Sequence, residues 1–220
     1  MALNKLKFNS LNVTPAAGKG IGFNSSADGL EATFSGGAMT FIKKLTASSS
    51  STLSFVDGSS DVVLDNTYKE YIFLFNNIHP ATDNADFNFQ TSTDSGSSYG
   101  VTVTNTYFSA YHNEGGNYTS LGYRTGADLV QSTNFIELGD EIGNENDQCF
   151  GATLHLFNPS STTFVKHYIY RGSHTQGNGD YMVDIHAAGF FNTTSAIDAI
   201  QFKFASGNID AGTITLYGIN

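Results

Sequence analysis

Ile200-Gln201-Phe202-Lys203-Phe204-Ala205-Ser206-Gly207-Asn208-Ile209-Asp210-Ala211-Gly212-Thr213-Ile214-Thr215-Leu216-Tyr217 decides the fold class. Apolar Ile200, Phe202 and Phe204 alternate with Gln201 and Lys203, the period of two that marks a half-buried strand. Ser206, Gly207, Asn208 and Asp210 supply turn chemistry, and a second alternating run returns through Ile214 and Leu216. Placing both apolar sets on one core predicts a hairpin over residues 200–217, its register pinned by the buried face.

Upstream, the same pattern repeats. Tyr71-Ile72-Phe73-Leu74-Phe75 is apolar on both faces, as a central covered strand would be. Phe87 and Phe89 alternate with Asp86, Asn88 and Gln90, and Phe150, Ala152, Leu154 and Leu156 line one face of a later strand. Asn158-Pro159-Ser160-Ser161 turns that strand back through residues 164–170, and a further alternating run covers residues 181–187. No stretch has a sustained 3.6-residue period; residues 194–199 offer one helical turn at most. The runs amount to nine or ten strands, more than one flat sheet accommodates, so the expectation is an all-β, two-sheet antiparallel sandwich with jelly-roll connections. No fixed-period repeat points to a propeller or solenoid.

Composition agrees. The chain has 220 residues, a size at which one core can be buried without staples, and a single cysteine, Cys149, which excludes an internal disulfide. Charged residues make up 14%, Trp is absent, and Ser, Thr and Asn separate the apolar positions. The start, Met1-Ala2-Leu3-Asn4-Lys5-Leu6-Lys7, leads into no apolar signal region, and no run approaches the roughly 20 apolar residues of a membrane helix. The expectation is therefore a soluble chain made in a cytoplasm, whose Asn-x-Ser/Thr matches at Asn12, Asn24, Asn117 and Asn192 arise by chance.

The two ends differ in character. Residues 1–37 read as an irregular N-terminal arm, punctuated by Pro15, Gly18-Lys19-Gly20, Asp28-Gly29 and Gly36-Gly37, ahead of a sandwich over residues 38–220. Leu3, Leu6, Phe8, Ile21 and Phe23 make the arm too apolar for a free tail, so it is expected to anchor on a surface. Five lysines against Asp28 and Glu31 give residues 1–44 a charge of 5 − 2 = +3, leaving −10 − 3 = −13 on the remainder. An acidic body argues against nucleic acid, and a basic arm suits an acidic neighbour, such as another copy of the body.

Catalytic motifs fail on context. Gly96-Ser97-Ser98-Tyr99-Gly100 matches G-x-S-x-G, but no helix follows as a nucleophile elbow demands, and the stretch reads as a hairpin loop. Gly18-Lys19-Gly20 lacks the remaining residues of a phosphate loop. The six histidines show no tight metal-ligand spacing: His155 and His167, facing across the Asn158 turn, are the one pair for zinc, with a cross-strand polar pair as the ordinary reading. His174 falls in a Gly-rich loop. Residues 139–147 form the densest acidic loop, where Asp140, Glu141, Asn144, Glu145 and Asp147 are candidates for Ca2+ and a solvated loop is the default; Asp83 and Asp86 are weaker. Tyr111, Tyr118, Tyr123 and His174 mark loops suited to a sugar or receptor. Scattered carboxylates leave glycoside hydrolysis as a third reading, without a Trp platform.

Tyr68-Lys69-Glu70-Tyr71-Ile72-Phe73, Asn77-Ile78-His79-Pro80-Ala81-Thr82-Asp83, residues 154–167 and residues 192–219 resemble uncharacterised virion proteins of marine tailed bacteriophages. The resemblance covers roughly residues 38–220. It implies a non-enzymatic structural part of the particle and supplies no catalytic residue. On that reading the chain is a capsid decoration or cement protein anchored by its arm, with a receptor- or carbohydrate-binding module of a tail fibre as the alternative. It would be assembled in the host cytoplasm and exposed on the virion, touching other virion proteins and copies of itself, trimers being common by analogy, but neither nucleic acid nor membrane.

Overall fold

The computed structural model describes residues 19–23, 26, 28–35 and 38–219, and among these every regular element is a strand. The chain divides into two compact units, Met1–Thr40 and Phe41–Asn220. In the first, β1 (Lys19–Phe23) and β2 (Leu30–Ser35) form an antiparallel hairpin with an irregularity between Gly20 and Gly22. The arm is thus not irregular throughout: Asp28 and Gly29 turn the chain between two short strands. Leu3, Leu6 and Phe8 lie outside the described residues.

The body is a sandwich of two antiparallel sheets. The large sheet contains β3 (Met39–Thr46), β5 (Glu70–Pro80), β7 (Val103–Asn113), β8 (Thr119–Tyr123), β10 (Phe150–Phe157), β11 (Lys166–Thr175), β12 (Tyr181–Phe191) and β14 (Ile209–Ile219). The small sheet contains β4 (Leu53–Val56), β6 (Ala85–Ser92), β9 (Ile136–Ile142) and β13 (Ala199–Phe204). Edge to edge the order is β3-β14-β5-β10-β11-β12-β7-β8 in the first and β4-β13-β6-β9 in the second.

This order corrects the reading of residues 200–217. Ile200, Phe202 and Phe204 do share a buried core with Ile214 and Leu216. However, β13 pairs with β4 and β6 in the small sheet, whereas β14 pairs with β5 in the large one. The turn carries the chain from one sheet to the other, and the two strands face each other through their side chains. Residues 93–102 make a similar crossing from β6 to β7, so G-x-S-x-G lies in a crossover rather than a hairpin. There the Asp94 carboxylate accepts from Ser98 N at 2.9 Å, and hydroxyls of Ser92 and Ser98 hold its pKa down to about 2. Ser98 thus serves a turn network. Residues 194–199 form no helical turn.

Aromatic rings fill the space between the sheets. Phe55, Phe87, Phe89 and Phe202 of the small sheet meet Phe73, Phe75, Phe150, Tyr168 and Phe191 of the large one, with centroids 5.0–6.2 Å apart in edge-to-face or tilted pairs. Beyond this double layer the large sheet continues through β12, β7 and β8. The chain between β8 and β9 tucks under this overhang: Asn105 donates to Ala127 O at 3.3 Å and accepts from Leu129 N at 2.6 Å. Edge strand β9 stops short of β8, and a cleft opens where the inner face of the larger sheet emerges.

Candidate functional site

The cleft has a volume of about 600 Å³ and is lined by residues from both sheets. Tyr111 on β7, Tyr181 on β12 and Tyr118, in the turn before β8, form an edge-to-face chain, with centroids 6.4 Å apart for Tyr111–Tyr181 and 5.4 Å for Tyr118–Tyr181. Opposite stand Glu137, Asp140 and Glu141 of β9 and Asp86 of β6, with Arg124 and Gln176 closing the wall.

Local sequence explains why β9 supplies three acids. Ile136, Leu138 and Ile142 are buried core positions, and alternation puts Asp140 on their side, at the end where the core gives way to the cleft. Glu137, between two of them, also lines the cleft, with its carboxyl near the buried Tyr107. Pairing with β6 slips twice around Phe87, bulging the strand, and Glu141 adopts a left-handed φ of 49°. Its N–H then donates to Asp86 Oδ1 at 2.9 Å. Gly139 is needed for close approach, since a Cβ there would stand 3.2 Å from Phe150 and 3.3 Å from His174 Nδ1.

Asp140 is the organising group. It is 5% exposed, and its Oδ2 accepts from Arg124 Nη2 at 2.9 Å, Gln176 Nε2 at 2.9 Å and Tyr111 OH at 3.0 Å. His174 is not in a loop but on β11, 2% exposed, and its Nε2 lies 2.7 Å from the Asp140 carbonyl and 3.4 Å from Oδ1. Burial works to raise the Asp140 pKa, but the His174 ring and the Arg124 guanidinium outweigh it and hold the carboxyl below its ordinary value. Arg124 also lies over the Tyr111 ring, 5.4 Å from its centroid.

Glu137 is shifted the opposite way. Burial, reinforced by the Asp140 and Asp86 carboxylates and only partly offset by Arg124 and Tyr107, pushes its pKa up to about 7. One of its oxygens, Oε1, is buried without a hydrogen-bond partner. The folded protein therefore retains a proton that an unfolded Glu137 releases at its ordinary value of 4.5. This contribution to stability is complete below pH 4.5 and is lost as pH rises through about 7. The gap between the two values corresponds to at most about 3 kcal/mol. Glu137→Gln should therefore match the wild type near pH 4, exceed its stability at pH 8 and flatten the profile between, as read by urea unfolding at each pH. Equal slopes in the two proteins would contradict this placement of Glu137.

The other candidate residues disperse. Tyr123 sits on the outer face of the large sheet, opposite Phe108, and donates to Asp128 Oδ2 at 2.8 Å, away from the cleft. Residues 139–142 of the expected acidic loop belong to β9, while Asn144, Glu145 and Asp147 are exposed beyond it. Among the described residues no group of three or more His, Cys, Asp or Glu is gathered as a metal ion requires. His155 faces Ile169 rather than His167 across the hairpin and pairs with Glu70 at 2.5 Å. On β1, Ile21 and Phe23 are exposed, Phe23 by 76%. Sequence reading did not single out Glu137, Arg124, Gln176 or Tyr181 individually. The spacing of Ile136, Leu138 and Ile142 was the signal for a strand there, and Val183 and Ile185 mark the face that Tyr181 shares.

No family model matches the chain, and no curated protein matches it. A solved structure from Bacteroides ovatus, described as a structural-genomics structure of unknown function, is similar over 48% of this chain and 45% of that one, at 3% identity and a TM-score of 0.27. The match thus spans under half the length of that protein.

Proposed function

We propose that this chain is a non-enzymatic bacteriophage virion structural protein whose sandwich is a jelly roll with a glycan-binding cleft, as in the receptor-binding module of a tail fibre. The observation behind the binding role is the meeting of three tyrosines with carboxylates, a guanidinium and a carboxamide in one cleft. Aromatic rings offer a face to sugar C–H groups, and planar polar side chains in fixed positions address adjacent hydroxyls. The jelly-roll part is supported by strand order. Leaving out β7, β8, β11 and β12, the remaining strands lie as β3-β14-β5-β10 over β4-β13-β6-β9, two interlocked four-stranded sheets with first and last strands adjacent. The β7–β8 and β11–β12 pairs are then insertions that widen one sheet and make the overhang. The virion setting, surface exposure, assembly in the host cytoplasm and contacts with other virion proteins and further copies follow from the sequence resemblance.

A glycan array probed with the full chain tests the binding role. Signal on a defined set of glycans, lost in Tyr118→Ala, is the expected result, and silence on the array and on host cells would reject it. Release of reducing sugar from a bound polysaccharide would replace binding by hydrolysis. Capsid decoration through the arm is the second reading, favoured by the exposed Ile21 and Phe23 of β1. Removing residues 1–37 should then abolish incorporation into particles, and normal incorporation would exclude it.

A further inference from the structure

Resting on the glycan reading of this same cleft, we propose that its ligand bears an ammonium group, a 2-amino-2-deoxyhexose unit whose nitrogen seats between Glu137 and Asp86 while its ring lies against Tyr118 and Tyr181. The cleft presents four carboxylates, Asp86, Glu137, Asp140 and Glu141, and one cation, Arg124. That cation is already committed to Asp140 at 2.9 Å. Asp86, Glu137 and Glu141 therefore face the cleft without a positive partner within it. Anionic sugars are repelled by such a wall. Glu137 Oε1 adds a specific demand, since its burial costs solvation that the nearby Tyr107 hydroxyl only partly offsets. A donor that also brings positive charge answers both conditions at once.

The size of that cation follows from the same geometry. The carboxylates are not gathered in a group that could hold a metal ion. They are spread along a cleft of about 600 Å³, large enough for a sugar ring and its substituents. Tyr118 and Tyr181, unlike Tyr111, have no guanidinium over them and leave faces for the ring and its ammonium. The neutralising proton on Glu137 is displaced as the ammonium enters, because burial beside Asp140 and Asp86 is what retains that proton in the empty cleft.

Calorimetric titration of the full chain at pH 6.5 with glucosamine trisaccharide, its N-acetylated form and a glucan of the same length tests this. The deacetylated sugar is expected to bind at least tenfold more tightly than the N-acetylated one, with a heat that changes with the ionisation enthalpy of the buffer. That preference should fall at least fivefold in Glu137→Gln and again in Asp86→Asn, each shown by thermal melting to be folded. Equal or tighter binding of the acetylated sugar or the glucan, or a preference that survives both substitutions, overturns the ammonium seat and leaves the glycan reading standing. Silence towards all three sugars, together with a silent array, overturns both. A lysine-bearing peptide that competes as well as the amino sugar reassigns the cleft to protein and also overturns the proposal.

Discussion

Replacing Phe202 with alanine should lower the unfolding free energy by about 3–5 kcal/mol. Phe202 is fully buried, and its ring lies 5.0 Å from Phe75, 5.6 Å from Phe73, 6.1 Å from Phe89 and 6.3 Å from both Phe55 and Phe87. Two of these neighbours, Phe73 and Phe75, belong to β5 of the large sheet, and the other three to the small sheet. The substitution therefore removes the ring through which both sheets share one core, and the aromatic pair geometry is lost along with the buried area. A close-packed interior cannot collapse around so large a deletion without moving strands that are held in place by their sheets. Against a total stability of about 5–15 kcal/mol, a loss of this size takes a large share. Thermal melting should register a fall of about 6–20 °C for a body of this length. Phe164→Ala is the control, since that ring is 71% exposed and its removal should change stability by no more than about 0.5 kcal/mol. If the two substitutions have equal effects, the sheets do not share the core described.

The contrast between residues 200–217 and the cleft shows what alternation can and cannot reveal. A period of two fixes which side chains share a face, and Ile200, Phe202, Phe204, Ile214 and Leu216 were assignable to one core for that reason. It does not fix the neighbour. β13 finds β4 and β6 roughly 110–150 residues earlier in the chain, while β14 crosses to β5, and no local signal distinguishes that crossing from a hairpin. Asp140 was misread for a related reason. Its acidic surroundings resembled a solvated loop, although Ile136, Leu138 and Ile142 place it on a buried face.

The cleft as a whole is less legible still. Tyr111 and Tyr118 were recognisable as ligand-facing aromatics, but Arg124, Glu137 and Gln176 acquire a role only because an eight-stranded sheet overhangs a four-stranded one. That mismatch results from the position of β7–β8 and β11–β12 in the strand order, a property of the assembled sheets and of no single segment. Tyr123 illustrates the converse. It ends the same strand that begins beside the cleft, yet its register opposite Phe108 sends it to the outer face.

Asp140→Ala should disable the cleft and destabilise the body together. The substitution deletes the acceptor shared by Arg124, Gln176 and Tyr111, leaving three donors at one wall without their common partner. Removing one member of a buried ion pair costs about 3–5 kcal/mol. Arg124 is 37% exposed and can regain water, so the expected loss lies near 3 kcal/mol, the lower end of that range. Glycan binding should fall at least tenfold, because Tyr111 and Arg124 would no longer be fixed against each other. The pH profile separates this from a general loss of packing. The Asp140 carboxyl is held below its ordinary value, so its contribution is present above the unfolded pKa and disappears on acidification through the lower folded one. In the alanine variant that acid-side loss should vanish. The decline between pH 4.5 and about 7 should also shrink, because the Asp140 charge is one of the causes that raise Glu137. Unfolding measured from pH 3 to 8 reads both changes in one series. A variant that melts like the wild type, or one that melts early with the Glu137 slope intact, would mean that Asp140 does not hold the two walls of the cleft together.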